Sequence, residues 1–309
     1  MQMDDVPSMP LHTSVCASAL PDWACSTLDV LVVVLNSAFT LSLLGALAGA
    51  CAGAVVATRL VNRQQRRDEL IAEIRSTNVA TMVALAICHK VLSLKRQHVL
   101  PLTVKFGADM AAWTEFTRQR RTGERQGNVP PPISIDLRVV PSLTFPVVTL
   151  QRLLFDKISM FGRSLALMTT LSETAGWLTN ANAKRNELVD RIRRLPDTSG
   201  VAQVYFGAPT AAGVTNLDYP EAVHAVASHT DELIFFSATL ANDLSAHALQ
   251  LRASWVREFG RKQAPEINAV DFTAARQNGL MPAEEKYAEW LAGLDRQVVT
   301  DLPQRQPRR

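Results

Sequence analysis

Residues 30–58 contain no charged side chain, and the run stops abruptly at Arg59, with Arg63, Arg66 and Arg67 close behind. A hydrocarbon core about 30 Å thick is crossed by about 20 apolar residues in a helix. The run exceeds that length, and tilt, or an end lying in the interface, takes up the surplus. Orientation follows from the flanks. Asp4, Asp5 and Asp22 precede the run with no Lys or Arg before Arg59, whereas four Arg follow it within ten residues. The positive side stays in the cytoplasm. The expected topology is an extracytoplasmic tail (1–28), one transmembrane helix (29–60), a cytoplasmic helical domain (61–294) and a basic C-terminal tail (295–309). That places the chain in the inner (cytoplasmic) membrane, single-pass, with its N-terminus outside.

A cleavable signal peptide wants a basic segment before a short apolar core. This leader has no basic residue, and the run is too long and too late. Ala48, Gly49 and Ala50 before Cys51 faintly resemble a lipoprotein cleavage box, but cleavage there leaves another apolar segment behind it.

Inside the run, Gly45, Gly49 and Gly53 form G-x-x-x-G-x-x-x-G, and Ala57 continues the same row. Small residues at this spacing let two helix backbones approach closely, so that van der Waals contact and weak Cα–H bonds favour association in lipid. The expectation is a homo-oligomer held partly by this face. Asn36, Ser37, Thr40 and Ser42 find hydrogen-bond partners most simply on a second copy of the helix.

Charge is asymmetric. Setting aside Asp4, Asp5, Asp22 and Asp29 leaves 25 acids against all 32 bases in the part from Arg59 onward. That excess suits the inner face of an anionic membrane, and Arg59, Arg63, Arg66 and Arg67 are the candidates for lipid head-group contact. It is too dilute, and the chain too poor in aromatic residues, for a nucleic-acid partner. The four cysteines, at 16, 25, 51 and 88, show no metal-ligand spacing. Cys16 and Cys25 in the outer tail are positioned to oxidise; Cys88 reads as a core thiol.

No Gly or Pro occurs between residues 55 and 100, so the span is expected to continue as one helix. At 1.5 Å per residue, 59–100 would project roughly 60 Å. Its stretch 79–94 is apolar nearly all round, which predicts a central, buried helix, and Pro101 is expected to break or kink it. A helical stripe through Phe106, Met110, Trp113 and Phe116 gives way to an Arg-, Gly- and Pro-rich loop up to residue 132. Ile133, Ile135, Leu137 and Val139 then alternate with polar residues, a strand pattern that predicts a two-stranded ribbon with residues 201–206. One amphipathic helix is expected over 146–194, its end cationic through Lys184, Arg185, Arg191, Arg193 and Arg194. Another runs from Asp218 and Pro220 to Gly260. A last short helix carrying Tyr287 and Trp290 docks on these. The fold class is mainly α: a span leading into an antiparallel bundle of long helices.

Chemical motifs are sparse. Glu221 and His224 share a helix face, as do Asp243 and His247 further along, but a di-iron bundle needs the E-x-x-H pair twice and no second copy exists, so no metal and no cofactor is expected. No phosphate-binding glycine loop and no G-x-S-x-G elbow appears. His98 near a helix end is explained by the dipole. The sequence therefore points first to a membrane-anchored helical interaction protein, a scaffold, sensor or membrane effector with a protein partner on the cytoplasmic side. The alternative is an enzyme anchored at the inner membrane face, with its site in the helical domain, the loop 196–216 being the place to look.

Overall fold

The computed structural model describes residues 38–123, 135–160 and 162–295. The protein is mainly helical, with no strand among the described residues. It divides into two units, residues 1–66 and 67–309. The acidic leader, the start of the apolar run, Cys16, Cys25, most of the loop ending at 132 and the basic tail beyond 295 lie outside the described residues.

The described part of the first unit is the beginning of helix α1 (Ala38–Leu94). Every residue from 45 to 66 is exposed, including Leu47, Val55, Val56 and Leu60. The Thr58 hydroxyl donates to the Ala54 carbonyl at 2.8 Å, which satisfies it within the helix itself.

In the second unit α1 becomes a core helix. Leu70 and Ile74 pack with Trp255 in a small cluster, and Ala80, Ala84, Ile87, Cys88 and Val91 enter the main core. These steps of three and four define one face. The stretch 79–94 is therefore not enclosed on all sides as its composition predicts: its neighbours cover the 80/84/87/91 face, and Val79 and Met82 on the other side stay about half exposed, at 51% and 48%.

Pro101 does not break the chain's helical course. A five-residue π-helical turn (Lys95–Val99) leads into α2 (Leu100–Thr122), with Pro101 in its first turn. Proline lacks an N–H and crowds the carbonyl four residues back; a wider turn removes the conflict at that place. Lys95 anchors the turn to the domain through Asp231 at 2.6 Å and the Leu280 carbonyl at 2.9 Å.

The single helix expected over 146–194 is two, α3 (Val147–Lys157) and α4 (Arg163–Arg193). Gly162 stands between them at φ +63°, a left-handed conformation that side chains disfavour. The break is also held from outside. The Ser159 N–H donates to Glu73 Oε1 at 2.9 Å, and the Ser159 hydroxyl donates to the same oxygen.

The β ribbon is absent from the described residues. Its second half is helix α5 (Thr198–Tyr205), started by Asp197, whose Oδ1 accepts the Gly200 N–H at 2.7 Å; this cap outweighs the β-branched pattern of Val201 and Val204. The described part of its first half, within 135–146, is an extended strap. Side chains on α4 take the place of a partner strand. Asn186 donates to the Val140 carbonyl at 2.8 Å and accepts the Val140 N–H at 3.1 Å. Asn182 donates to the Pro141 carbonyl at 2.9 Å, Arg193 to that of Leu137 at 2.8 Å, and Arg185 to that of Arg138. From α1, Lys90 donates to the Thr144 carbonyl at 2.9 Å.

Helix α6 (Asp218–Phe259) packs along α4 and supplies much of the core, from Tyr219 through Leu233, Leu240 and Leu244 to Trp255. Gly207, just before it in the chain at φ +66°, has no room for a side chain: a Cβ there would stand 2.6 Å from Leu217 Cδ2. After short helix α7 (Thr273–Gln277), the final described helix α8 (Ala288–Asp295) follows Tyr287. As the aromatic pattern predicts, Tyr287 stacks on Phe235 at 3.9 Å and Trp290 meets Phe236 at 4.8 Å between ring centres.

Candidate functional site

The most developed polar surface lies in the second unit where α1, α4 and α6 meet the break between α3 and α4. Arg163, the first residue of α4, forms a two-pronged ion pair with Asp243 of α6, its Nε 2.9 Å from Oδ2 and its Nη2 closing on Oδ1. A depression of about 250 Å³ lined by Ser159, Ser164, Asp243, His247 and Gln250 opens on one side of this pair. A second, of about 210 Å³, opens on the other and mixes Arg163, Asn242 and Arg276 with Phe235, Met281 and Leu291.

Glu73 of α1 links two of the residues that line the first depression, Ser159 and His247. It accepts both donors of Ser159, and His247 Nε2 lies 3.2 Å from the same Oε1. Burial pushes the Glu73 carboxyl up, but the hydrogen bonds from the Ser159 hydroxyl and N–H, with His247 beside them, outweigh it and leave the group below the usual carboxylate value. The arrangement differs from a nucleophilic triad in one decisive respect. There the histidine stands between hydroxyl and acid; here the acid stands between hydroxyl and histidine, so the Ser159 proton is held by Glu73 and no imidazole is placed to remove it.

The pairing of Asp243 with His247 is thus realised as two walls of one depression, each bonded to a different partner. Glu221 and His224 are both exposed. His229 is bonded to Glu232 at 2.8 Å. No group of three or more His, Cys, Asp or Glu side chains positioned for a metal occurs among the described residues. Cys88 is a core thiol, as expected; burial raises it to about 11, with the Ser237 hydroxyl pulling weakly the other way. Sequence reasoning missed Glu73, Ser159 and Arg163. Nothing local marks them, because each acquires its role from a residue at least 80 positions away.

The glycine row is open. Added Cβ atoms at Gly45, Gly49 and Gly53 meet nothing within 4 Å. Arg59, Arg63 and Arg66 are exposed. Arg67 donates to Gln263 at 2.8 Å and lies 5.8 Å over the Trp255 ring, a cation–π contact. By length and composition, one helix among the described residues is apolar enough to cross a membrane, and half of its qualifying window is buried inside the protein. Since residues 45–66 are wholly exposed, that window belongs mainly to the later, core-forming part of α1.

Comparison of the chain with protein-family models, with curated proteins and with solved structures finds no match.

Proposed function

We propose that this protein is a membrane-anchored helical interaction protein that self-associates through the apolar first part of α1, around Gly45, Gly49 and Gly53. Its helical domain, read as an antiparallel bundle, faces the cytoplasm and offers its surface to a protein partner, in the manner of a scaffold, sensor or membrane effector. The observation that carries this reading is the state of residues 45–58: apolar, free of charge and exposed throughout. A helix with no polar face and no protein cover is stable in lipid or against another chain. Arg59, Arg63 and Arg66 then stand at the inner interface, where anionic head groups attract them.

The mechanism is coupling. α1 supplies both the apolar stretch and the Ile74, Ala84 and Ile87 face of the core, so a change in how copies associate in the membrane alters the strain on a core helix. The test is the native mass of the full chain in mild detergent, with Gly49→Leu beside it. A discrete oligomer that dissociates on substitution supports the reading. An unchanged mass in the variant removes the glycine row from it, and full release of the wild-type chain from membranes by alkaline wash removes the anchor.

An enzyme anchored at the inner face is the second reading, favoured by the polar depression around Glu73, Ser159, Asp243 and His247. It ranks lower because the only base at the Ser159 hydroxyl among the described residues is a carboxylate held below its usual value, a weak proton acceptor, with no imidazole in its place.

A further inference from the structure

Of the two depressions beside the Arg163–Asp243 pair, the one of about 210 Å³ is the more sheltered, and its lining is the more mixed. Its apolar part is built by three elements. Phe235 and Ala238 of α6 are buried, at 5% and 4% exposure, and half-buried Met281 and Leu291 line it from the segment after α7 and from α8. The Phe235 ring is fixed by the Tyr287 ring stacked on it. At the exposed edge stand Asn242, Arg276 of α7 and Glu284. An apolar body and a polar end are thus both provided for, as in small-molecule sites generally.

The lining carries two cations and two carboxylates, and the two pairs they form are unlike. Arg163 and Asp243 meet through two hydrogen bonds and make a closed, neutral wall. Arg276 Nη2 stands 3.6 Å from Glu284 Oε1, with the two side chains 53% and 72% exposed. That separation is longer than the roughly 2.7–2.9 Å of a charge-assisted hydrogen bond, and an exposed pair of this kind contributes little to stability, so it opens at little cost. The Arg276 charge also acts on Asp271, but that carboxyl is held below its ordinary value chiefly by Thr273, whose N–H it accepts at 2.8 Å. A ligand bearing only a carboxylate would set its charge against Glu284, and one bearing only an ammonium would set its charge against Arg276. A zwitterion meets both: its carboxylate accepts from Arg276 and its ammonium donates to Glu284, with the Asn242 amide offering a further donor and acceptor. The volume falls below the roughly 300–1,000 Å³ of sites for drug-sized ligands, so the apolar body is a single small one.

We propose that this depression binds one free apolar α-amino acid, of the leucine or phenylalanine kind, with its side chain against Phe235, Met281 and Leu291 and its charged end inserted between Arg276 and Glu284. Such a ligand touches α6, α7 and α8 at once, so occupancy ties the two short helices to the long one. All the residues involved lie in the second unit, and the site therefore stands independently of how the apolar stretch 45–58 is used.

The test is equilibrium dialysis of radiolabelled L-phenylalanine against the full-length protein in mild detergent, with protein-free micelles as the blank. Unlabelled L-leucine, 3-phenylpropionate, phenethylamine and glycine serve as competitors. The expected result is saturable binding that L-leucine displaces. The acid without the ammonium, the amine without the carboxylate and the amino acid without the apolar body are each expected to compete at least about tenfold more weakly, because each leaves part of the site unmatched. Arg276→Gln and Glu284→Gln, both at exposed positions where substitution leaves the fold intact, are expected to weaken binding by about tenfold each. Absence of saturable binding to the wild-type protein overturns the proposal. So does binding in which 3-phenylpropionate or phenethylamine competes as well as L-leucine, or which both variants retain in full, since the label is then held by its apolar body alone or elsewhere. Native mass and membrane retention are unaffected by any of these outcomes, which keeps a failure here separate from a failure of the anchor.

Discussion

Residues 45–58 and 79–94 are two apolar stretches of one helix, and they differ in what surrounds them. The later one is buried on its 80/84/87/91 face and carries His89 and Lys90 outward. The earlier one has no polar side chain before Thr58 and no protein cover on any face. Similar hydropathy therefore has two meanings. An apolar stretch with even a narrow polar stripe can be finished by its own domain; one that lacks any such stripe needs a different solvent or a second chain.

The largest effects separate the two stretches. Ile87→Ala, at a fully buried position, is expected to destabilise the helical domain by about 2–5 kcal/mol, while Leu47→Ala, in the exposed stretch, changes it by less than about 0.5 kcal/mol. Denaturant unfolding followed by tryptophan fluorescence measures both. Comparable losses at the two positions would mean that the first stretch also belongs to a core.

Charge insertion sharpens the contrast from the other side. Leu47→Arg is expected to cost about 2.5–3.5 kcal/mol of membrane insertion and to deplete the membrane fraction. Met82→Arg, on the outer face of the later stretch, leaves that fraction unchanged. Equal partitioning of the two variants would remove the distinction between the stretches.

A smaller effect concerns the strap, which side chains of α4 and Lys90 of α1 hold. Asn186→Ala removes both bonds to Val140 and is expected to cost about 1–3 kcal/mol, seen as faster hydrogen exchange at the Val140 amide while α6 amides keep their protection.

The smallest is a pH effect at the break between α3 and α4. Because the folded Glu73 carboxyl lies below its ordinary value of 4.5, its contribution to stability is complete above that value and is lost as pH falls through the lower folded one. Ser159→Ala removes the hydroxyl donor, raises the folded value, and so moves the acid-induced loss to higher pH. An acid titration of the Glu73 carboxyl by NMR in the two proteins reads this directly; coincident curves would show that the serine hydroxyl contributes nothing.

Much of the architecture was legible because helices announce themselves locally. The α6 seam, its start near Pro220, its end at Gly260 and the docking of Tyr287 and Trp290 all follow from spacing and from turn residues. The errors share one physical origin. At Pro101 and along the strap the local pattern was right about the strain or the alternation but silent about what answers it, and at Gly162 the helical seam gave no warning of a break: the π-helical turn absorbs the proline, Glu73 holds the broken turn, and α4 side chains replace a strand. Arg185 carried a legible clue that went unused. It lies seven residues from Leu178 and four from Val189 on a mostly apolar seam that also carries Asn182, and a cation on such a seam is buried by geometry.

The strap has a further consequence, concerning how its position is encoded. In a sheet, the bonds between strands are made by backbone groups common to every residue, so the pairing survives most substitutions. Here the partner is a row of amide and guanidinium groups on α4, each written by a single codon. The segment's register can therefore be edited one latch at a time, and an arginine or asparagine lost from that row would reposition the strap without disturbing the helix that carried it.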